Sequence, residues 1–262
     1  MHATPLPALP KRPFNPAPLL IAAVFAVAGL CVMHLDLSVD GLGYALQDIA
    51  EYFSRYTRPD FSDLPHSLFL LLQTLATALW GTAIACVGAF ILAPLAARNL
   101  TPNRLCFTLV REALSVSRAT PDLVLALFFV AAIGLGPLPG TLALGVHTLG
   151  FLAKFIAESL ERVPEGTYEG VRATGAGRIQ TLFFAGWPSI GRETVGYVLY
   201  IFDRNVRMSS VLGLVGAGGI GQALYDALRL FQYGRSAMLI LILLVTIVAI
   251  DALSGWARQR LA

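Results

Sequence analysis

Charged side chains are scarce in this sequence. Only 13% of its 262 residues are Asp, Glu, Lys or Arg, about half the share that is usual in soluble domains. Hydrophobic residues make up 56% of the chain, and its mean hydropathy is +0.69. A water-soluble globule of this size cannot bury that much apolar surface. The composition therefore excludes an ordinary soluble enzyme, a disordered regulator and a fibrous protein, and it predicts an all-α integral membrane protein.

The residues that build metal centres and nucleotide sites are also sparse. Cys31, Cys86 and Cys106 have no metal-ligand spacing, and the four histidines lie far apart, so we expect no metal site. The chain contains no Gly-x-x-x-x-Gly-Lys-Ser/Thr motif, and any ATP hydrolysis must then come from a partner. A net charge of +3, spread along the chain, does not suggest nucleic-acid binding.

Charge-free runs predict about six transmembrane helices. Three of the runs are clear: 19–35, 64–97 and 236–250. We interpret the first as an uncleaved anchor after a basic leader, with a signal peptide as the alternative, because no small-residue cleavage site follows it. The weakest span contains the charge-free segment 194–202 and is expected to begin near Ser189.

A longer run, 123–153, is interrupted by the segment GLGPLPG at 134–140. Because these glycines and prolines do not continue a helix, the run predicts two helices joined by a tight turn. The first helix would start near Arg118 or earlier, and the second would continue past Lys154. A single re-entrant hairpin is the alternative.

The distribution of charge favours the six-span layout with both termini inside. Most basic residues then fall in inside segments, and the first outer segment, 34–65, has six acidic and two basic residues. This bias follows the positive-inside rule. In this layout Arg204 and Arg207 lie outside, or at outer membrane depth.

The polar stretch 158–192 lies between the fourth and fifth predicted spans. Pro164 can open a short helix, and Glu165 and Glu169 suit its positive N-terminal end. Arg172 lies on the same face as Glu169, and the segment 175–177, Gly-Ala-Gly, would end the helix. The stretch thus predicts a short amphipathic helix with a small C-terminal end that another backbone can approach, or else a solvated loop.

This stretch resembles the cytoplasmic motif of binding-protein-dependent ABC importer permeases. That motif reads Glu-Ala-Ala-x-x-x-Gly, then nine residues, then Ile-x-Leu-Pro. Glu169, Gly175 and Pro188 match it, whereas Gly170-Val171 replace the two alanines and Ala185 and Trp187 replace the Ile and Leu. The wider segments VPEGTYEGVRATGA, GLGPLPGTLALGVHTLGFLAKFIAESLE and RNVRMSSVLGLVGAGGIG resemble phosphonate importer permeases, from about Arg118 to the end of the chain.

The resemblance implies a permease domain over 67–262 with a cytoplasmic coupling loop at 158–192, preceded by a leader, first span and outer segment over 1–66. It implies that Glu165–Gly177 docks on a separate ATP-hydrolysing subunit. The coupling residues it implies are Glu165, Glu169, Gly170, Arg172, Ala173, Gly175, Ala176 and Pro188.

The resemblance also implies an assembly and a location. The permease would be a homodimer in a bacterial inner membrane, with both termini cytoplasmic. Its partners would be two ATP-binding ABC subunits and a periplasmic phosphonate-binding protein. ATP and Mg²⁺ would be held by the partner, and this chain would need no cofactor. The ligand would be a phosphonate, or a close oxyanion such as phosphite or phosphate.

A glycine cluster follows the fifth span. The segment 216–221 matches Gly-x-Gly-x-x-Gly, but no acidic residue lies about 20 positions on, and we do not expect a dinucleotide site. Glycine N–H groups at a helix start favour anions, which makes a translocation pathway one hypothesis. The alternative to a pathway is that Arg204 and Arg207 anchor the helix at the membrane interface and that the glycines permit tight helix packing. The candidate pathway residues are His147, Arg204, Asn205, Arg207, Gly216, Gly218 and Gly219.

His147 lies within the fourth predicted span, where a lone polar residue indicates either a functional site or a hydrogen bond between helices. An intramembrane enzyme acting on lipid phosphates would need clustered acids or histidines at membrane depth. Only His147 and Asp251 qualify, on different spans and without identifiable partners. A secondary transporter would need repeated broken helices, and the sequences flanking the two glycine-rich breaks do not repeat.

Overall fold

The computed structural model describes residues 16–34 and 39–261, which form helices and no strand. The chain divides into two units, residues 1–54 and 55–262. The first contains α1 and α2, and the second contains the remaining helices, with a π-helical turn before α9 and a 3₁₀ turn before α10. The helices are α1 (Ala17–His34), α2 (Val39–Ser54), α3 (Leu64–Ala96), α4 (Arg104–Ala119), α5 (Asp122–Ile133), α6 (Pro137–Arg162), α7 (Glu165–Arg172), α8 (Arg178–Thr181), α9 (Trp187–Leu212), α10 (Gly219–Arg229) and α11 (Tyr233–Leu261).

Three helices of the described chain are long and apolar enough to cross a membrane: α3, α6 and α11. The bent pairs α4–α5 and α8/α9–α10 raise this number to as many as five if each is one broken span. Helix α1 is apolar but shorter. The all-α membrane class is therefore confirmed, while the count of six spans stays a prediction.

Small residues on α3 let α6 pack closely against it. A Cβ atom added at Gly81 would lie 2.8 Å from the Leu144 Cβ, and one at Gly145 would lie 2.9 Å from the Ile84 Cγ2. A stripe of fully buried alanines continues this face of α3, including Ala85. Lipid gives no hydrophobic force between helices, so such close backbone contact is a main source of their association.

The predicted break within 123–153 is confirmed, and it is confined to 134–136. Gly134 and Gly136 have φ values of +102° and +140°, which favour glycine. The Gly136 N–H donates to the Gly216 carbonyl at 3.0 Å. Pro137 occupies the first turn of α6, where its missing N–H leaves no bond unmade. As predicted, α6 continues past Lys154, to Arg162.

The helix that precedes the break, expected to start near Arg118 or earlier, is divided in two at that point. Helix α4 ends at Ala119 and α5 begins at Asp122, with a bend of 91° between them. Pro121 causes the interruption, because it disfavours a helical conformation at Thr120 and has no N–H to donate. The bend places the backbone of Thr120 and the side chain of Asp122 beside α6, as the contacts below show.

Two expectations about the region 158–212 need correction. The stretch 158–192 is largely helical, since α6, α7, α8, the π-helical turn and α9 occupy most of it. Helix α9 extends ten residues beyond Phe202, so Arg204 and Arg207 lie within α9, and their position outside or at outer membrane depth stays a prediction. A charge-free criterion ended this helix too early, because buried ion pairs let charged residues continue it.

Candidate functional site

The predicted short cytoplasmic helix is present as α7. Pro164 caps its N-terminus, Glu165 lies in its first turn, and Gly175 follows its end with a φ of +87°. Arg172 pairs with Glu165 at 3.3 Å across two turns, whereas the sequence placed it on the face of Glu169. The helix ends at Arg172, so residues 173–177 of the expected Glu165–Gly177 helix form its turn and exit.

Tyr168 holds α7 against the end of α6. Its ring is fully buried, and its hydroxyl donates to the Leu160 carbonyl at 3.0 Å. The Asn99 side chain donates to the same carbonyl at 2.9 Å. Burial raises the pKa of the Tyr168 phenol above its usual value. Helix α7 is too short to be stable alone, so this anchor fixes its position; sequence reasoning missed both residues.

The outer face of α7 is free of neighbours in the described chain. Glu165, Glu169 and Arg172 are exposed, and a Cβ atom added at Gly170 or Gly175 would meet nothing within 4 Å. A surface cavity of about 520 Å³ lies beside this face, lined in part by Gly170, Gly175, Ala176 and Phe184. The surface can therefore accept a close-fitting protein.

Two more of the predicted coupling residues lie at the edges of this surface. Ala173 is exposed, and it directly follows the last residue of α7. Pro188 is exposed in the first turn of α9, beyond the π-helical turn.

A buried polar cluster lies between α5, α6 and α9. The His147 Nε2 is 2.6 Å from the Asp122 Oδ1, and the Arg204 Nη2 is 3.1 Å from the Asp122 Oδ2. The side chains of His147 and Asp122 are each only 5% exposed, and that of Arg204 is 25% exposed. The expectation that His147 has no identifiable polar partner is therefore wrong, because His147 contacts side chains of α5 and α9, and its place in a translocation pathway stays a prediction.

His147 also contacts the bend between α4 and α5. Its Nδ1 lies 2.9 Å from the Thr120 carbonyl oxygen, which can only accept, so Nδ1 carries a proton. The Nε2 atom lies 2.6 Å from the Asp122 Oδ1 and 3.0 Å from the Arg204 Nη2. His147 therefore joins the bend to both charged members of the cluster. The bend at Pro121 brings the cluster together, and local sequence gave no signal for it.

The other predicted pathway residues on α9 point elsewhere. Arg207 pairs with Asp203 one turn earlier on the same helix. Asn205 is fully buried and donates from Nδ2 to the Thr82 hydroxyl of α3 at 2.9 Å. These residues do not contact the Asp122–His147–Arg204 cluster in any hydrogen bond or ion pair of the described chain.

The glycine cluster forms a close-packed turn between α9 and α10. Gly216, Gly218 and Gly219 have φ values of +90°, +76° and +72°. A Cβ atom at Gly219 would lie 2.3 Å from the Thr74 hydroxyl, which accepts the N–H of Ile220. A cavity of about 420 Å³ adjoins Gly218 and Gly219. The N–H of Ile220 is thus bonded within the fold.

Comparison with known proteins places these features in context. Residues 87–262 match the family described as binding-protein-dependent transport system inner membrane component. The phosphite transport system permease protein of Stutzerimonas stutzeri is 39% identical over 241 residues, covering 92% of this chain and 88% of that protein. The phosphate-import permease protein of Mycolicibacterium smegmatis is 41% identical over 210 residues, which are 80% of this chain but 40% of that longer protein.

A solved structure shares the fold. The inward-facing MetNI methionine ABC transporter aligns with a TM-score of 0.64 and 20% identity, over 75% of this chain and 96% of that chain. At this identity the likeness concerns the arrangement of helices alone.

Proposed function

Because this chain belongs to the family of binding-protein-dependent transport system inner membrane components, we propose that it forms the membrane path of an ATP-driven importer for small phosphorus oxyanions. The class comprises phosphonates, phosphite and phosphate. The chain is a multi-pass membrane transport component rather than an enzyme. Similarity to a phosphite permease over 92% of the chain is the observation that carries the substrate class.

The charge of the buried cluster supports an anionic substrate. Beside its ion pair with Asp122, Arg204 has a buried Nη1 without a hydrogen-bond partner among the described residues. An anion that leaves water needs compensating charge and hydrogen bonds, and a guanidinium offers both in a planar arrangement. Of the residues proposed for the pathway, Arg204 and His147 are thus best placed to contact the substrate.

The coupling role of α7 rests on its anchoring and its exposed face. A helix fixed by Tyr168 can transmit a push from a separate ATPase subunit to the end of α6. The open space above Gly170 and Gly175 leaves room for that subunit. ATP and Mg²⁺ belong to the ATPase in this proposal, and this chain holds no cofactor.

The proposed assembly has two copies of this chain, two ATP-binding subunits and a periplasmic binding protein. It lies in a bacterial inner membrane with both termini cytoplasmic. The family membership supports these partners, and it favours them over an intramembrane enzyme or a secondary transporter.

ATP hydrolysis by the reconstituted complex tests the proposal. The binding protein should stimulate hydrolysis when loaded with phosphite, methylphosphonate or phosphate, and much less when incubated with sulfate or methionine. Equal stimulation by the unloaded binding protein, or by none of the phosphorus oxyanions, would contradict the proposed substrate class.

A further inference from the structure

The polar cluster extends to a second arginine, Arg118, which forms no ion pair within the described residues. Phe151, one turn after His147 on α6, has the guanidinium carbons of both Arg118 and Arg204 at 5.2 Å from its ring centroid. The His147 ring also packs on Phe151, at 5.2 Å between centroids. The two cations on α4 and α9 are therefore attracted to one aromatic ring near the middle of α6.

Charge in this region is unbalanced. Asp122 is the one carboxylate in ion-pair distance of Arg204, and Arg118 has no ion pair, among the residues that the structure describes. The two guanidinium groups carry two positive charges, whereas this single carboxylate supplies one negative charge. An excess of positive charge between packed helices favours the binding of an anion.

A hydrogen-bond donor of the cluster is also unused. The Arg204 Nη1 is buried and has no partner within residues 16–34 and 39–261, while Nη2 contacts both Asp122 and His147. A buried charged donor without an acceptor is unfavourable by itself. The carboxylate of Asp122 thus satisfies only part of what the guanidinium can bind.

The geometry points to an oxyanion-binding site formed by Arg118 and Arg204 around Phe151, in which Asp122 is an exchangeable counter-ion. We propose that the carboxylate of Asp122 occupies part of this site in the present conformation. The substrate oxyanion displaces it and bonds to the guanidinium of Arg204, including the unpartnered Nη1. In this proposal the oxyanion also bonds to the guanidinium of Arg118, with which Asp122 forms no ion pair among the described residues.

Exchange of this kind has a consequence for release. Asp122 lies directly after the Pro121 bend, and His147 holds both sides of that bend through Thr120 and Asp122. When the carboxylate returns to Arg204, it competes with the oxyanion for the same guanidinium. Asp122 therefore keeps binding weak enough for passage, as a transport pathway requires.

This inference rests on the proposed function. Uptake of phosphite by the wild-type complex tests that function separately from the two-arginine site. Proteoliposomes with the whole complex and saturating loaded binding protein should accumulate phosphite. Arg118→Gln and Arg204→Gln should each reduce uptake at least about tenfold, since each removes a charged hydrogen-bond partner. Uptake is expressed per assembled complex, so that a change in the amount of complex does not count as a change in transport. Arg229→Gln is the matched control, and this variant should transport phosphite normally. Arg229 packs over Tyr225 on an exposed surface.

Asp122→Asn tests the exchange by a different readout. Phosphite loaded inside the proteoliposomes should inhibit uptake at a several-fold lower concentration in this variant, because its competitor is gone. An unchanged or higher inhibitory concentration would overturn the counter-ion role. Normal uptake by Arg118→Gln would overturn the two-arginine site.

Where a glutamine variant assembles poorly, Arg118→Lys and Arg204→Lys test the two-arginine site instead. They keep the charge but lose the planar donors, and uptake per assembled complex should fall between the wild-type and glutamine values. Wild-type uptake by both lysine variants would overturn the site. The proposed function itself would fail in a different way. The wild-type complex would then take up no phosphorus oxyanion.

Discussion

Removal of the Tyr168 ring should detach α7 from the membrane helices without touching its docking face. The ring is fully buried against the end of α6, and truncation of a buried aromatic side chain to alanine costs about 3–5 kcal/mol. Because about 1.4 kcal/mol is a factor of ten, local opening of α7 should become more frequent by at least roughly a hundredfold. Tyr168→Ala should therefore uncouple ATP hydrolysis from uptake.

Hydrogen exchange of the α7 amides in the intact complex measures the opening directly, and uptake per ATP measures the coupling. Tyr168→Phe is the control, since it keeps the ring and loses one hydrogen bond to a carbonyl that Asn99 also contacts. Its expected cost is about 1 kcal/mol, with coupling close to normal. If Tyr168→Ala shows wild-type exchange in α7 and wild-type uptake per ATP, the anchoring argument is refuted.

Three further predictions follow from the packing and the topology. Gly170→Leu should assemble but lose binding of the ATPase subunit, as measured by co-purification, because the leucine adds bulk to the open face of α7. Gly170 lacks the positive φ of Gly175, so this substitution adds no backbone strain of that kind. Retained co-purification would contradict the docking surface. Gly221→Val should reduce the yield of folded protein severely, since its Cβ would lie 1.8 Å from the Ser210 carbonyl oxygen, and a normal yield would contradict that close packing. Single cysteines introduced in a variant without the native ones should react from the periplasm at Asp60 and from the cytoplasm at Thr167, which is exposed next to the buried Tyr168; periplasmic labelling at Thr167 would contradict the proposed orientation.

Local chemistry was sufficient to predict the elements with strong backbone signals. Gly134 and Pro137 predict the interruption between α5 and α6, and Pro164 and Gly175 predict the ends of α7. Each of these residues restricts its own backbone, so neighbouring sequence carries the information. The structure adds the bond that fixes the first break, from Gly136 to Gly216.

The polar cluster was not predictable in the same way. Asp122, His147 and Arg204 are far apart in sequence, and only the 91° bend at Pro121 brings the first of them to α6. In sequence, Asp122 is an ordinary acid after a proline, and Arg204 is one of the charges that follow an apolar run. Their mutual compensation is a property of three packed helices. Tyr168 was missed for a similar reason, because the periodicity of an eight-residue helix does not show which neighbour buries its ring.

Uptake of labelled phosphite by proteoliposomes is the most direct test of the account. They should contain this permease with its ATPase subunits and receive the loaded binding protein outside. The account predicts accumulation that requires ATP and the binding protein, and that unlabelled methylphosphonate or phosphate reduces when loaded on the same binding protein. No accumulation of any phosphorus oxyanion by an assembled complex that hydrolyses ATP would contradict it.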